Sequence, residues 1–410
     1  MSADLVSAVI KGTGDPRVRL FSSLRFMNPG LSCVLAGVAL SLLGVYAIDV
    51  AETRRAIADA TSLNGTAMRQ AVFCCIGLGA ALVVALPHYR FYRYLAWIAF
   101  LLCLGLLVFL LVPAVPAWLV TPRNGARGWI NLGVADFQPA EVTKIAYVLV
   151  VAAYLRYRRE HRSFLGLVMP GLLTLPPVAL ITLQPDLGTA SLFIPSLFAM
   201  LVAAGARLRH LSIIVLCAAL AAPATYPLLK DHQKRRFVAL VKQVQGDRSS
   251  ADDLNFQSFT AQTMVGSGQV GGTGDAHARA LLHYNRLPER HNDMVFAVIT
   301  ARFGFVGGAV TLLLYGVWTA GALATAAVCR EPFGRLICIG LTGFVVAQVV
   351  VNVGMTVGLL PIIGVTLPFV SYGGSSMLTV WLMTGLIYNV GVHRPRPPFR
   401  DSFEWSGDAA

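Results

Sequence analysis

Charge is scarce in this chain. Asp, Glu, Lys and Arg make up 13% of its 410 residues, about half the ~25% of an ordinary soluble domain. Acids are the scarcer sign, 20 against 33 Lys and Arg. So few ionised groups could not cover the surface of a soluble fold of this size, and that class is excluded. Disorder is excluded too, because it needs high charge with low hydrophobicity. Cysteine is sparse. Cys33, Cys74, Cys75, Cys103, Cys217, Cys329 and Cys338 lie in or beside apolar runs without metal-ligand spacing. They read as small buried hydrophobes, not as disulfides or ligands. There is no signal-peptide cleavage pattern after Lys11, Arg17, Arg19 and Arg25, so the first apolar run reads as a retained anchor. Internal repeats and a separate soluble domain are also lacking.

What is abundant is apolar sequence, 56% of the residues. A helix needs about 20 apolar residues to cross ~30 Å of hydrocarbon. Ten segments meet this, at about 30–48, 69–87, 94–113, 139–155, 164–183, 188–205, 211–229, 294–316, 335–357 and 369–392. They do not alternate in polarity as barrel strands do. The expected fold is therefore an all-α integral membrane bundle of about ten transmembrane helices. The net charge of +13 reads as cytoplasmic loops rather than nucleic-acid binding. With the N-terminus inside, 17 basic residues fall in inner segments and five (Arg54, Arg55, Arg69, Arg123, Arg127) in short outer loops. That excess predicts cytoplasmic N- and C-termini. It divides the chain into a cytoplasmic segment 1–29, a membrane domain 30–392 and a tail 393–410. The loop at 230–292, between helices 7 and 8, is then large and extracytoplasmic.

Ionisable groups inside or beside spans are costly and mark candidate sites. In Gln138-Pro139-Ala140-Glu141-Val142-Thr143-Lys144, Pro139 suits a first helical turn. Glu141 and Lys144 share a face and can pair. A structural ion pair and an anionic-headgroup site are both open. Asp186, in Gln184-Pro185-Asp186-Leu187-Gly188-Thr189, is placed to cap the next helix or to wall a pocket. Gly266-Ser267-Gly268-Gln269-Val270-Gly271-Gly272-Thr273-Gly274 fits a flexible hinge or a phosphate cradle, but lacks the Lys of a nucleotide-binding loop. In Leu287-Pro288-Glu289-Arg290-His291-Asn292-Asp293, two acids, a His and an Arg gather at a membrane boundary. A carboxylate there tends to hold its proton more tightly, which suits a general base. An N-cap with an ordinary interfacial cluster is the alternative. The apolar stretch from Gly358 to Ser376 carries Pro and Gly, and reads as a re-entrant segment with small residues for close packing.

In this order, these motifs resemble the SEDS family of rod-shape, cell-division and sporulation membrane proteins. The resemblance covers nearly the whole chain. It is strongest from Asn352 through Gly358, Pro361 and Gly364 to Ser371-Tyr372-Gly373-Gly374-Ser375-Ser376. Gly125-Ala126, Trp129-Ile130, Gln138-Pro139, Glu141 and Lys144 carry a second motif. There are three departures from the family pattern: Gly128 stands where Arg is usual, Ala140 where Ser is usual, and Ala301-Arg302 where an acidic pair is usual.

The resemblance implies a peptidoglycan glycosyltransferase acting on lipid II, with Asp293 as the catalytic residue. It implies Glu289, Lys144, Glu141, Arg127, Trp129, Asp186, His291 and Gln257 as substrate-binding candidates. A divalent cation, Mg or Mn, is implied with Asp293 as a candidate ligand, together with a class B penicillin-binding protein as partner. Asn352-Val353-Gly354-Met355 and the short termini lean towards the rod-elongation type. A lipid II flippase, and a scaffold with a decayed site, are the competing expectations.

Overall fold

The computed structural model describes residues 28–52, 65–116, 118–120, 126–133, 136–158, 163–225, 234, 253–285 and 287–394. Most of segment 1–29, most of tail 393–410 and much of loop 230–292 lie outside the described residues. The helices are α1 Gly30–Ala51, α2 Gly65–Ala85, α3 Tyr92–Leu111, α4 Pro139–Leu155, α5 Val168–Leu183, α6 Leu187–Ser191, α7 Phe193–Ala204 and α8 Leu208–Thr225. They continue as α9 Asp253–Ser267, α10 Asp275–Asn285, α11 Val295–Val328, α12 Pro332–Thr356 and α13 Gly374–His393. A two-residue antiparallel ladder joins β1 Ile130–Asn131 to β2 Asp136–Phe137.

Each of the ten apolar segments contains a helix among the described residues. Among the described residues, eight helical stretches are long and apolar enough to cross a membrane, with α6 and α7 forming one stretch, and α8 adds a shorter apolar helix. Hydropathy decides this locally, since backbone groups in hydrocarbon must bond within their own helix. α4, of 17 residues, is shorter and lies inside the bundle. It packs against α3, α5, α12 and α13, and 14 of its residues are buried. It can therefore carry Glu141 and Lys144 where a lipid-facing helix could not. T-shaped aromatic pairs lock this region, with Phe193 5.0 Å from both Tyr147 and Phe344. All seven cysteines are free, but Cys75 and Cys217 are exposed. The expectation of burial fails for these two because they lie on outward faces of α2 and α8, where a membrane helix needs apolar residues as much as a core does.

α11 corrects two expectations. It runs 12 residues past the expected end, and it is broken at Gly304 (φ 68°, ψ −161°). The continuous part is Phe305–Val328; the piece Val295–Phe303 is a separate half-helix whose residues 295–301 are all buried. A left-handed φ at 304 demands glycine, and a Cβ there would lie 2.4 Å from the backbone of Gly272 and Val270.

The Gly-rich run after α9 fills this break. Thr273 donates from N and Oγ1 to the Ala301 carbonyl at 3.1 and 2.9 Å. Phe305 N and Val306 N donate to the carbonyls of Gln269 and Val270 at 2.8 and 3.2 Å. The run is thus neither a free hinge nor a phosphate cradle: it satisfies backbone groups that a helix break would otherwise orphan. α9 and α10 complete a second, smaller core with the end of α1 and the half-helix, through Val50, Met264, Leu282, Leu287, Met294 and Val298. Ion pairs staple it. Arg279 Nη2 meets Asp49 Oδ2 at 2.7 Å, and Arg302 meets Asp275, which also accepts from Tyr46 Oη at 2.5 Å. The unusual Arg302 therefore has a local counter-charge.

Candidate active site

Two clusters form at the end of the bundle that carries β1, β2 and the half-helix, and the segment between α12 and α13 joins them.

The first cluster surrounds the start of α4. Pro139 opens the helix and Glu141 sits in its first turn, where the helix dipole favours an anion. Lys144 Nζ donates to Glu141 Oε1 at 2.6 Å, and the side chains are 1% and 7% exposed. The pair expected from the i,i+3 spacing is present and buried. Asp186 accepts from Thr189 N at 2.9 Å and so caps α6; Gln138 Nε2 also donates to it at 3.3 Å. Burial pushes the Asp186 carboxyl above the usual carboxylate range, with the Thr189 bonds and the Lys144 charge pulling the other way. Arg127 and Trp129 lie half-buried just before β1. The Arg127 Nε is buried without a hydrogen-bond partner among the described residues, while the Lys144 ammonium is committed to Glu141.

The second cluster is built on Leu287–Asp293. This stretch is a sequence of turns, with Glu289 at φ 49°. Its carbonyl accepts from Asn292 N and Met294 N at 3.0 and 3.2 Å, and its exposed side chain accepts from Asn292 Nδ2 at 2.6 Å. The N-cap of α11 is Met294, without a side-chain bond. The three carbonyls that follow are each held from elsewhere. His291 O accepts from Tyr372 N at 2.8 Å. Asn292 O accepts from Ser371 Oγ at 2.5 Å. Asp293 O accepts from Asn352 Nδ2 at 2.8 Å. Gly364 lies against the Asp293 side chain: a Cβ at 364, already at φ 72°, would stand 3.3 Å from Oδ2. The His291 ring packs edge-on against Tyr372 at 6.0 Å. Burial holds His291 below the ordinary imidazole range despite the opposing field of Glu289, so it is a neutral group at pH 7.

The joining segment does more than pack. Ser375 Oγ accepts from Gln138 N at 3.0 Å and donates to Asp136 O at 2.8 Å. Gln70 Nε2 donates to Ser371 O at 2.9 Å. Ser371 also receives Leu367 N at 2.8 Å. Small residues from Ser371 to Ser376 allow this approach, as expected, and their hydroxyls clamp both clusters as well. Gln257 is half-buried on α9, whose helix packs on α11 and α12, and it is not among the residues bonded to the Asp293 stretch. Asn352 and Gln70 carry no charge, so a search for ionisable groups passes over them. The signal for Asn352 was a polar amide inside an apolar span.

A family model described as "Cell cycle protein", for FtsW, RodA and SpoVE, matches residues 31–396. The chain belongs to the FtsW–RodA–SpoVE family. Among its curated relatives, stage V sporulation protein E of Bacillus subtilis is 30% identical over 79% of this chain and 86% of its own length. Peptidoglycan glycosyltransferase MrdB of Escherichia coli K12 is 32% identical over 78% and 84%. Probable peptidoglycan glycosyltransferase FtsW of Thioalkalivibrio sulfidiphilus is 34% identical over 86% and 87%. Identities this close do not separate the rod, division and sporulation branches. Among solved structures, a chain from a peptidoglycan synthase complex that coordinates polymerization and crosslinking superposes with a TM-score of 0.72. It is 31% identical and covers 90% of this chain and 98% of its own. Rod shape determining protein RodA of Thermus thermophilus gives 0.63 at 28% identity, over 89% and 97%. This FtsW–RodA–SpoVE family member is therefore a multi-pass helical membrane protein.

Proposed function

We propose that this chain is a peptidoglycan glycosyltransferase that polymerises lipid II at the outer face of the bacterial cytoplasmic membrane. The observation that carries the reading is the clamp on the carbonyls of residues 291, 292 and 293, which presents one carboxylate, Asp293, beside a glycine at the mouth of the bundle. Glycan extension needs such a group. The acceptor 4-hydroxyl attacks the donor's anomeric carbon, Asp293 takes the hydroxyl proton, and the lipid diphosphate leaves with the electrons of the broken C–O bond. Its negative charge needs a fixed cation, and Arg127, with an unpaired donor, serves better than the engaged Lys144. Glu289, His291, Asp186, Trp129 and Gln257 are the candidates for contacts to the sugar and peptide groups. Among the described residues no three His, Cys, Asp or Glu side chains converge as metal ligands. No step is assigned to a divalent cation, for which Asp293 is the candidate ligand.

A class B penicillin-binding protein is the expected partner, consistent with the likeness to a synthase-complex chain. The elongation role rests on Asn352-Val353-Gly354-Met355. The reading is tested with the chain, its partner transpeptidase and lipid II in vesicles. Glycan strands are expected. Transfer of lipid II between leaflets without polymer would favour the flippase and overturn the enzyme.

The outer placement rests on the basic-residue count and has its own test. Tyr284 and Tyr157 are 83% and 70% exposed, on the two sides that the count predicts. In a background lacking Cys75 and Cys217, Tyr284→Cys should react with an impermeant maleimide on intact cells, and Tyr157→Cys only after permeabilisation. The reverse pattern would put the site in the cytoplasm.

A further inference from the structure

We infer that Asn352 is the positioning residue for Asp293, acting through the backbone and not through substrate; this rests on Asp293 being the base. Asn352 is 0% exposed on α12, flanked in sequence by Val349, Val350, Val351 and Val353. Its Nδ2 donates to the Asp293 carbonyl at 2.8 Å and to the Val365 carbonyl at 2.7 Å. Its Oδ1 is buried and accepts no hydrogen bond among the described residues. These facts settle which way the amide faces: turned over, Oδ1 would oppose two carbonyl oxygens with no hydrogen between them.

A buried amide with an orphan acceptor carries a desolvation cost that offsets part of what its bonds to two carbonyls contribute. What the amide supplies is geometry. One planar NH2 group spans two carbonyls and so sets the distance between residue 293 and residue 365. Gly364, next to Val365, is the residue against which the Asp293 carboxylate lies. The same two bonds therefore fix the carboxylate relative to the wall behind it. Ser371 and Tyr372 hold the two preceding carbonyls, which aligns the stretch, and Asn352 holds the carbonyl of residue 293 itself.

The test uses the full chain with its partner transpeptidase and lipid II, with kcat and KM measured across pH and melting followed in detergent. Asn352→Ala removes both donors. Its kcat should fall about 10²-fold with KM little changed, the effect of misplacing a reacting group by about 1 Å. Asn352→Asp keeps the shape but, held protonated by its burial, offers one O–H in place of two N–H donors, so one of the two carbonyls loses its bond. Its kcat per folded molecule should therefore fall too, by less than in Asn352→Ala, with KM little changed. A merely structural role would lower the amount of folded enzyme and leave kcat per folded molecule in place. Asn352→Ala at wild-type kcat, a loss carried by KM alone, or Asn352→Asp at wild-type kcat would overturn the assignment. If Asn352→Ala does not fold, the near-isosteric Asn352→Asp decides by its kcat. Polymerisation by Asp293→Ala would fail the base reading itself; an inactive Asp293→Ala beside a fully active Asn352→Ala would fail only the positioning role.

Discussion

Given lipid II and its partner transpeptidase, the Asp293→Ala protein is expected to assemble no glycan strands, with kcat down by at least about 10²–10⁴-fold, the usual contribution of a positioned general base. The expectation follows from how the carboxylate is held. Backbone carbonyls 291, 292 and 293 are each bonded to the Asn352–Tyr372 region, so the fold holds the backbone that carries the side chain. Replacing it should leave that backbone intact. Asp293→Asn makes the sharper comparison: it keeps size and polarity and removes only the basic oxygen. It should melt within a few degrees of wild type, still bind lipid II, and remain inactive from pH 5 to 9. Strand synthesis near the wild-type rate by either variant would refute the assignment. Inactivity accompanied by lost binding would move Asp293 from proton transfer to substrate recognition.

The second large effect is expected at the Glu141–Lys144 pair. Lys144 is 1% exposed and its Nζ lies 2.6 Å from Glu141. Lys144→Met leaves the glutamate charge in the bundle core without a partner, which costs about 3–5 kcal/mol when one member of a buried pair is removed. The measured sign should be a large fall in melting temperature in detergent and a loss of membrane-inserted protein. The double variant Glu141→Gln with Lys144→Met removes both charges and should recover most of that stability, since replacing a whole buried pair is often near neutral. Its activity separates the two roles left open by the spacing. A stable, active double variant makes the pair structural. A stable but inactive one gives it a part in holding the headgroup. No recovery in the double variant would mean that α4 is held by something other than charge balance.

Much of the architecture was legible from hydropathy. Segments 30–48 and 139–155 match α1 and α4 at their starts, and 139–155 matches at both ends. The i,i+3 pair at 141 and 144 and the cap at Asp186 were legible for the same reason: both are contacts within one turn of chain. The glycines at 266–274 misled because a run of small residues has the same sequence whether it swings freely, binds an anion or fills a break in a distant helix. Only the carbonyl of Ala301 and the amides of 305 and 306, left unbonded by the turn at Gly304, select the last. The length of α11 misled similarly, since apolar sequence records that a helix can continue but not where it folds back.

By itself, the sequence determined that this is a multi-pass helical membrane protein of the FtsW–RodA–SpoVE family, and it pointed to Asp293. Hydropathy over ~20 residues, charge asymmetry and short motifs are local quantities that survive being read along a line. The tertiary structure alone decided how Asp293 is held and that the signature around Ser371 and Ser375 clamps two clusters at once. Those depend on bonds between residues far apart in the chain, 59 positions for Asn352 and Asp293 and 237 for Gln138 and Ser375. Partners at that separation are chosen by how whole helices pack, which no short window of sequence contains.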